Sequence, residues 1–428
     1  MDTPMPLHRV GALGPTAYWI FALGKILVVF TAVMITVALL TLLERKLSAW
    51  IQDRIGPNRV GPGGLLQPVA DGLKNLLKEE TQPAEAARGF FTLAPMLAIM
   101  PALVLFAVVP LAAPLPTPWG LVEMSVAEVP VGILFVLALS SLGVYGITLA
   151  GWASANKYAF LGGLRAAAQL ISYEVSLGMS LLPVFLVVGD VTLSEMVARQ
   201  QQMHLWFALP LCLPFFLFWV ASFAETNRLP FDLPEAESEL ITGYHTEYSS
   251  MKFSMFFIAE YAHVLTVSMI MATVFLGGWD IPLWQGDNMW VVADGVVAGA
   301  APAWWKTVLT HFSFLLKTGF FVGLFMIVRW TLPRFRYDQV MDLGWKVMLP
   351  VSLVSVAVNG GAVLLLERLR VPYGLGYGLM LTAINLPLLA LVLWGLDRGR
   401  VLTGTGSLQQ RRLAAQAKAR ARRAAAAA

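Results

Sequence analysis

The chain has 428 residues, of which 57% are hydrophobic and 13% are charged, and its mean hydropathy is +0.69. Soluble globular chains contain about 45–50% apolar and about 25% charged residues. Because the excess lies in runs of about 20 residues, the composition predicts a multi-spanning membrane protein and excludes secreted disulfide-rich, fibrous and disordered classes. The single cysteine, Cys212, excludes an internal disulfide and a cysteine-held iron–sulfur or zinc site within this chain.

Nine apolar stretches are long enough, or nearly so, to cross a hydrocarbon core of about 30 Å. They are residues 18–43, 91–113, 131–152, 170–188, 205–223, 253–278, 308–330, 347–366 and 375–396. This pattern predicts an all-α, polytopic integral membrane protein. We expect a single helical transmembrane domain over residues 1–396, followed by a basic, Ala/Arg-rich tail over residues 397–428.

The distribution of lysine and arginine predicts the orientation of the chain. Segments 44–89, 153–166, 224–252, 331–346 and 397–428 hold 22 basic residues, whereas the segments on the opposite side hold 5. Lysine and arginine are retained in cytoplasmic loops. The asymmetry therefore predicts a multi-pass protein of the cell inner membrane, with its N-terminus outside and its C-terminus in the cytoplasm. The net charge of +4 is interpreted as part of this signal.

The loop over residues 44–89 is longer than a helix connection requires. Two amphipathic segments, one around Leu47–Ile55 and one around Leu66–Leu77, flank a Gly/Pro-rich break at 56–64. We expect both segments to be surface helices that lie along the bilayer. The loop is then either an ordinary surface-lying connection or a wall around an opening between lipid and protein.

The loop over residues 224–252 is acidic. Six carboxylates in it face only two basic residues, Arg228 and Lys252; the carboxylates are Glu225, Asp232, Glu235, Glu237, Glu239 and Glu247. Crowded carboxylates near a low-dielectric region do not all ionise, so at least one is expected to have a raised pKa and to exchange protons. The alternative is a solvated acidic face that complements a basic partner subunit.

Ionisable residues inside the apolar stretches are the remaining candidates, because charge within a membrane is costly and usually functional. Glu174 and Glu260 each interrupt a hydrophobic helix, and we interpret them as proton-relay residues that could also pair with Lys25 or Lys317. His263 is interpreted as a packing histidine. The histidines show no metal-ligand spacing, so no metal site is expected.

Four motifs in these loops, in the right order over residues 40–366, resemble one family. They are residues 44–46 (Glu-Arg-Lys) with 52–62 (Gln-Asp-Arg-Ile-Gly-Pro-Asn-Arg-Val-Gly-Pro), 64–74 (Gly-Leu-Leu-Gln-Pro-Val-Ala-Asp-Gly-Leu-Lys), 225–240 (Glu-Thr-Asn-Arg-Leu-Pro-Phe-Asp-Leu-Pro-Glu-Ala-Glu-Ser-Glu-Leu), and 334–339 (Arg-Phe-Arg-Tyr-Asp-Gln) with 344–346 (Gly-Trp-Lys). The family is the quinone-site membrane subunit of proton-pumping NADH:quinone oxidoreductase, respiratory complex I, which is the H subunit in bacteria and subunit 1 in mitochondria. The eight shared helices would span residues 18–366, and the ninth stretch would be an addition.

The resemblance implies a role in coupling quinone reduction to proton translocation. Arg45, Gln52, Arg54 and Asp71 would line or frame the chamber for ubiquinone or menaquinone. Proton-relay residues would be Glu225, Asp232, Glu235, Glu237 and Glu239, continued into the membrane by Glu174 and Glu260. The chain would hold no flavin, iron–sulfur cluster or metal of its own. Its partners would be the quinone-site subunits of the peripheral arm, the adjacent small membrane-arm subunits and membrane lipid, with no nucleic acid.

Two other functions fit the same residues less well. One is the equivalent membrane anchor of a related hydrogenase- or ferredoxin-linked complex, which would keep the anchoring role but change the electron donor. The other is a secondary ion transporter that uses Glu174 and Glu260. A transporter predicts internal repeats, and none stands out in the sequence.

Overall fold

The computed structural model describes residues 7–9, 15–235, 237–282, 284–292 and 296–397. Helices dominate this part of the chain, and its strands are short. The helices are α1 Pro15–Ile51, α2 Gln67–Leu77, α3 Arg88–Val104, α4 Gly132–Ala153, α5 Lys157–Val188, α6 Leu193–Met203, α7 Cys212–Glu225, α8 Glu237–Leu240, α9 Ser250–Phe275, α10 Trp304–Thr331, α11 Tyr337–Asp342, α12 Leu349–Arg368 and α13 Leu375–Asp397. The strands are β1 Leu7–Arg9, β2 Leu115–Thr117, β3 Gly120–Val122, β4 Met289–Val292 and β5 Val296–Gly299.

Within the described residues, eight helical segments are long and apolar enough to cross a membrane. They are α1, α3, α4, α5, α9, α10, α13 and the continuous helix Tyr337–Arg368, in which one π-helical stretch, Leu343–Met348, joins α11 to α12. The predicted all-α polytopic fold is therefore confirmed. The stretch at 205–223 differs from expectation, because its helix α7 has only 14 residues. A helix of that length is about 21 Å long, which is shorter than a hydrocarbon core.

The bundle has two ends, which we name by their loops. The motif face carries residues 52–87, 154–156, 226–235, 237–249 and 332–336. The hairpin face carries residues 108–131, 189–211, 276–282, 284–292 and 296–303, including the paired strands β2–β3 and β4–β5. Strand β1 pairs with β5 in an antiparallel ladder, so the N-terminal strand lies at the hairpin face.

The first of the two expected surface helices is not separate, and this prediction was wrong. Helix α1 runs without a break from its apolar stretch to Ile51. Its buried residues, Val33, Val37, Leu40, Glu44 and Ser48, recur at intervals of three or four, so one helical face continues past the apolar run. The second expected surface helix is α2, whose side chains are exposed or half-buried.

Helix α5 lies at the centre of the bundle and packs against α4, α7 and α12, while α9 packs against α3, α10 and α1. Small residues permit the close contacts. At Gly146 in α4 an added Cβ would lie 2.8 Å from the Ala98 nitrogen of α3, so only glycine fits there.

Two buried asparagines fix the last helix. Asn385 of α13 donates to Asn359 Oδ1 of α12 at 2.8 Å and to the Pro210 carbonyl at the start of α7, also at 2.8 Å. Polar pairs of this kind specify how helices associate inside a membrane. Helix α13 therefore has a defined packing position against α12 and the start of α7, although most of its surface is exposed.

Candidate functional site

The described residues line a partly open cavity of about 80 Å³ between α3, α4, α5, α7, α9 and the acidic loop. Four of the predicted relay carboxylates line it, from four different elements: Glu174 from α5, Glu225 from the end of α7, Glu235 from the loop and Glu260 from α9. The other polar residues of its lining are His263, Tyr244, Ser140, Ser141, Thr226 and Asn227. We call this space the acidic cavity.

A glutamine in the centre of the bundle holds the acidic loop in place. Gln169 of α5 is fully buried, and its Nε2 donates to the carbonyls of Ala224 and Phe231 at 2.8 Å each and to Asn227 Oδ1 at 3.2 Å. The Phe335 N–H donates to the Pro230 carbonyl at 3.1 Å. Residues 224–231 are therefore tied on two sides, to α5 and to the segment after α10.

The other predicted relay residues lie closer to the motif face. Asp232 pairs with Arg334 at 2.7 Å. Glu239 pairs with Arg165 at 2.6 Å, and its side chain is 54% exposed. The Glu237 side chain falls outside the described part of the chain. The structure thus brings Glu174, Glu225, Glu235 and Glu260 together and places Glu239 at the surface.

Beside the acidic cavity lies an ion cluster that was not predicted from the sequence. Arg228 forms an ion pair with Glu260, whose Oε1 lies 2.8 Å from Nε, and its Nη1 donates to Glu44 at 3.3 Å. Arg329 of α10 also pairs with Glu44. The Tyr261 hydroxyl donates to Glu44 at 2.8 Å, and the Arg228 guanidinium stands 4.3 Å from the centre of the Tyr261 ring. This Arg228 cluster joins α1, α9, α10 and the acidic loop through charges that are largely out of solvent.

The sequence does contain a signal for Glu44. It continues the stripe Val33, Val37 and Leu40 at helical spacing, which places it on the buried face of α1. The predicted first loop instead begins at Glu44, because the apolar composition ends there. The burial of Arg228 has no comparable signal, since it lies in a polar segment between α7 and two prolines.

The electrostatics of the acidic loop follow from burial. Burial alone would lower the pKa of Arg228, but the Glu260 carboxylate and Tyr261 raise it, so the guanidinium stays charged. Burial, with the nearby Glu235 and Glu260 charges, raises the pKa of the Tyr244 hydroxyl well above its ordinary value. Burial lowers the pKa of His245 to about 4, although Glu235 lies 4.0 Å from its Nδ1. His245 is thus neutral at pH 7.

The residues predicted to frame a quinone chamber form two pairs at the motif face. Arg45 pairs with Asp71 at 2.6 Å, and Gln67 also donates to Asp71, at 3.1 Å. Arg54 donates from Nε to Gln52 Oε1 at 2.7 Å. Large apolar side chains around them are exposed, namely Trp50, Ile51, Ile55, Leu65, Leu66, Val69, Leu73, Leu76 and Leu77. Clustered exposed apolar side chains of this kind mark surfaces that contact other proteins or a membrane.

The chain is similar to known proteins over most of its length. The NADH dehydrogenase family matches residues 24–360. The chain belongs to this family. The NADH-quinone oxidoreductase H subunit of Rhodospirillum centenum is 47% identical over 346 residues, which cover 81% of this chain and 95% of that protein.

Two further relatives carry the same kind of name. An NADH-quinone oxidoreductase H subunit of Geobacter metallireducens is 46% identical over 343 residues, 80% of this chain and 96% of its own length. The corresponding H subunit of Magnetococcus marinus is 45% identical over 359 residues, 84% and 96% respectively. The resemblance read from the four motifs is therefore confirmed. Helix α13 lies beyond the residues that the family matches.

We expect the Arg228 cluster to depend on its central cation. Arg228→Gln would leave Glu44 and Glu260 without the guanidinium between them, and breaking a buried ion pair typically costs about 3–5 kcal/mol. The activity of the purified complex should fall about tenfold or more, because a loss of about 1.4 kcal/mol in transition-state stabilisation already slows a reaction tenfold. Arg228→Lys should recover only part of it, because an ammonium cannot contact both carboxylates and stack on Tyr261.

The matched control is Arg199→Gln, which removes a half-exposed ion pair with Glu195 at the hairpin face. It should change activity less than twofold, as for surface pairs generally. Full activity in assembled Arg228→Gln complexes would contradict a functional role for the cluster.

Proposed function

We propose that this chain is a membrane subunit of proton-pumping NADH:quinone oxidoreductase that forms part of the quinone chamber and passes the effect of quinone reduction to an acidic relay. The observation that carries the proposal is the acidic cavity, where carboxylates from three membrane helices and one loop converge. The names of its relatives supply the reaction, because they are quinone oxidoreductase subunits. Those names also favour this function over a hydrogenase- or ferredoxin-linked anchor.

The relay is argued from charge. Reduction of a quinone creates negative charge and a demand for two protons. Carboxylates that share one low-dielectric space titrate together, so a charge placed beside one of them changes the protonation of the others. We propose that Glu237, Glu239 and Asp232 receive this change at the motif face. Glu235, Glu225, Glu174 and Glu260 would carry it into the membrane.

The quinone would reach the motif face beside α2. A chamber for a quinone needs apolar walls for the tail and a few polar groups for the head. The exposed apolar side chains around α2 supply the first, and the Arg45–Asp71 and Arg54–Gln52 pairs supply the second. Peripheral-arm quinone-site subunits would close the chamber over this face. The small membrane-arm subunits and lipid would cover the exposed helix surfaces.

The chain itself supplies no redox centre in this proposal. Electrons would come from the clusters and flavin of partner subunits, and ubiquinone or menaquinone would be the substrate. In the described residues no group of three or more His, Cys, Asp or Glu side chains could hold a metal ion.

The orientation is also a proposal. We place the motif face in the cytoplasm and the hairpin face outside, because 22 basic residues lie in the segments of the first side and 5 in those of the second. Residues 1–396 would form one transmembrane domain in the cell inner membrane. The basic tail, 397–428, falls outside the described residues except for Asp397, which ends α13.

Glu225→Gln tests the relay. The glutamine keeps the size and shape of the side chain but cannot bind or release a proton. We expect coupled NADH:quinone activity and proton pumping to fall about tenfold or more, whereas NADH oxidation by ferricyanide is unchanged. The control is Glu195→Gln at the hairpin face, which should behave as wild type. Normal pumping by assembled Glu225→Gln complexes would refute the relay.

Asp71→Asn tests the quinone chamber. It weakens the contacts with Arg45 and Gln67 without changing the shape of the side chain. The KM for a short-chain quinone should rise several-fold, with little change in the ferricyanide rate. Asp338→Asn, which removes an exposed pair with Arg336 on the same side of the bundle, should leave the KM unchanged. Equal losses in both assays would indicate an assembly defect and argue against the chamber assignment.

Single-cysteine labelling tests the orientation. Cys212 is buried, and Cys212→Ser gives a cysteine-free background. Pro118→Cys in the exposed β2–β3 turn should react with a membrane-impermeant maleimide in spheroplasts. Lys78→Cys at the end of α2 should react only in inside-out vesicles. The reverse pattern would overturn the N-out assignment.

A further inference from the structure

His263 faces a carboxylate across the acidic cavity. Its Nε2 lies 3.5 Å from Glu225 Oε1, and the two side chains are 17% and 10% exposed. Both residues line the acidic cavity. His263, which the sequence analysis interprets as a packing residue, therefore has a carboxylate within reach of its imidazole.

His263 also stands one helical turn from a second relay carboxylate. Glu260 and His263 are three residues apart on α9 and line the same cavity, so both point to one side of the helix. The elements packed around the cavity add further groups: Glu174 from α5, and Glu235 and Tyr244 from the loop. Helices α3 and α4 contribute small and apolar residues with Ser140 and Ser141. His263 thus lies between Glu260 and Glu225.

A second cavity beside His263 is unfavourable for proton transfer. Its volume is only about 10 Å³, it shares Glu225 and His263 with the acidic cavity, and it is otherwise lined by apolar side chains with the hydroxyls of Ser140 and Thr266. An apolar space does not solvate an ion. Transfer from His263 is therefore favoured along the acidic cavity.

We propose that His263 relays protons between Glu225 and Glu260, which gives the proposed acidic relay an imidazole step at its middle. The proposal rests on the proposed function. In one direction the Glu225 carboxyl gives its proton to Nε2, leaving a carboxylate and an imidazolium. The imidazolium then releases the proton at Nδ1 towards the carboxylate of Glu260, which becomes a carboxylic acid. Neutral imidazole has one ring nitrogen that donates and one that accepts, so it can pass a proton through.

The test uses the assembled complex with His263→Ala and His263→Gln. We expect both to lower NADH:quinone activity and proton pumping about tenfold, with ferricyanide reduction unchanged. Added imidazole should restore part of the activity of His263→Ala, since that variant leaves space beside the cavity, and none of that of His263→Gln. Rescue by a soluble proton carrier is a response that a purely structural histidine would not give.

His311→Ala is the matched control, because it changes another histidine in a membrane helix, one whose Nδ1 contacts the Leu111 carbonyl near the hairpin face. It should be unaffected by imidazole. Glu225→Gln in the same assays separates the two proposals. Suppose that Glu225→Gln is impaired. If both His263 variants then have normal activity, or if both are slow and imidazole does not rescue His263→Ala, the imidazole step is wrong and the relay stands. If Glu225→Gln is also normal, the relay itself fails. Should His263→Ala not assemble, a normal rate for His263→Gln overturns the step and a slow rate supports it.

Discussion

The contact on which the site depends is a buried guanidinium held between two carboxylates. Arg228 reaches Glu260 with one nitrogen and Glu44 with another, and it stacks on Tyr261. Without a cation there, two carboxylates in a low-dielectric space would repel each other and take up protons. Since Glu44 comes from α1, Glu260 from α9 and Arg228 from the acidic loop, this charge pattern fixes where the loop meets the helices. A second cation, Arg329, holds Glu44 from α10.

The acidic loop is attached to the bundle by polar contacts as well as by apolar packing, in which Phe231, Leu233 and Tyr244 are buried. Gln169 binds it from α5, and Phe335 binds it from the segment that follows α10. Polar contacts of this kind respond to charge, because each depends on the protonation or geometry of its partner. A change of charge at the motif face can thus alter the loop without breaking the core. In the proposed function, this would be the physical link between a reaction at the motif face and the carboxylates of the acidic cavity.

The membrane-spanning helices and the functional acidic residues can largely be predicted from the sequence, because both depend on local amino-acid composition. Runs of apolar residues predict the helices, and the scarcity of charge makes Glu174 and Glu260 conspicuous. Composition fails where a helix continues past its apolar run, so it places Glu44 in a loop and ends α1 too early. It also cannot pair residues far apart in the chain. The contact between Arg228 and Glu44 joins positions separated by 184 residues, and that of His263 with Glu225 depends on the relative height of two helices.

The short helix α7 explains that height. The backbone just before α7 is bonded to the end of α9, because the Ala208 N–H donates to the Phe275 carbonyl at 2.8 Å. The first residue of α7 and the last residue of α9 therefore both lie at the hairpin face. From there Glu225 is 13 residues from Cys212, or about 20 Å along α7, and His263 is 12 residues from Phe275, or about 18 Å along α9. The two side chains therefore meet inside the bundle. A helix long enough to cross the membrane would have carried Glu225 out to the motif face. Because α7 is short, the Glu225 carboxylate and the acidic cavity lie inside the helix bundle.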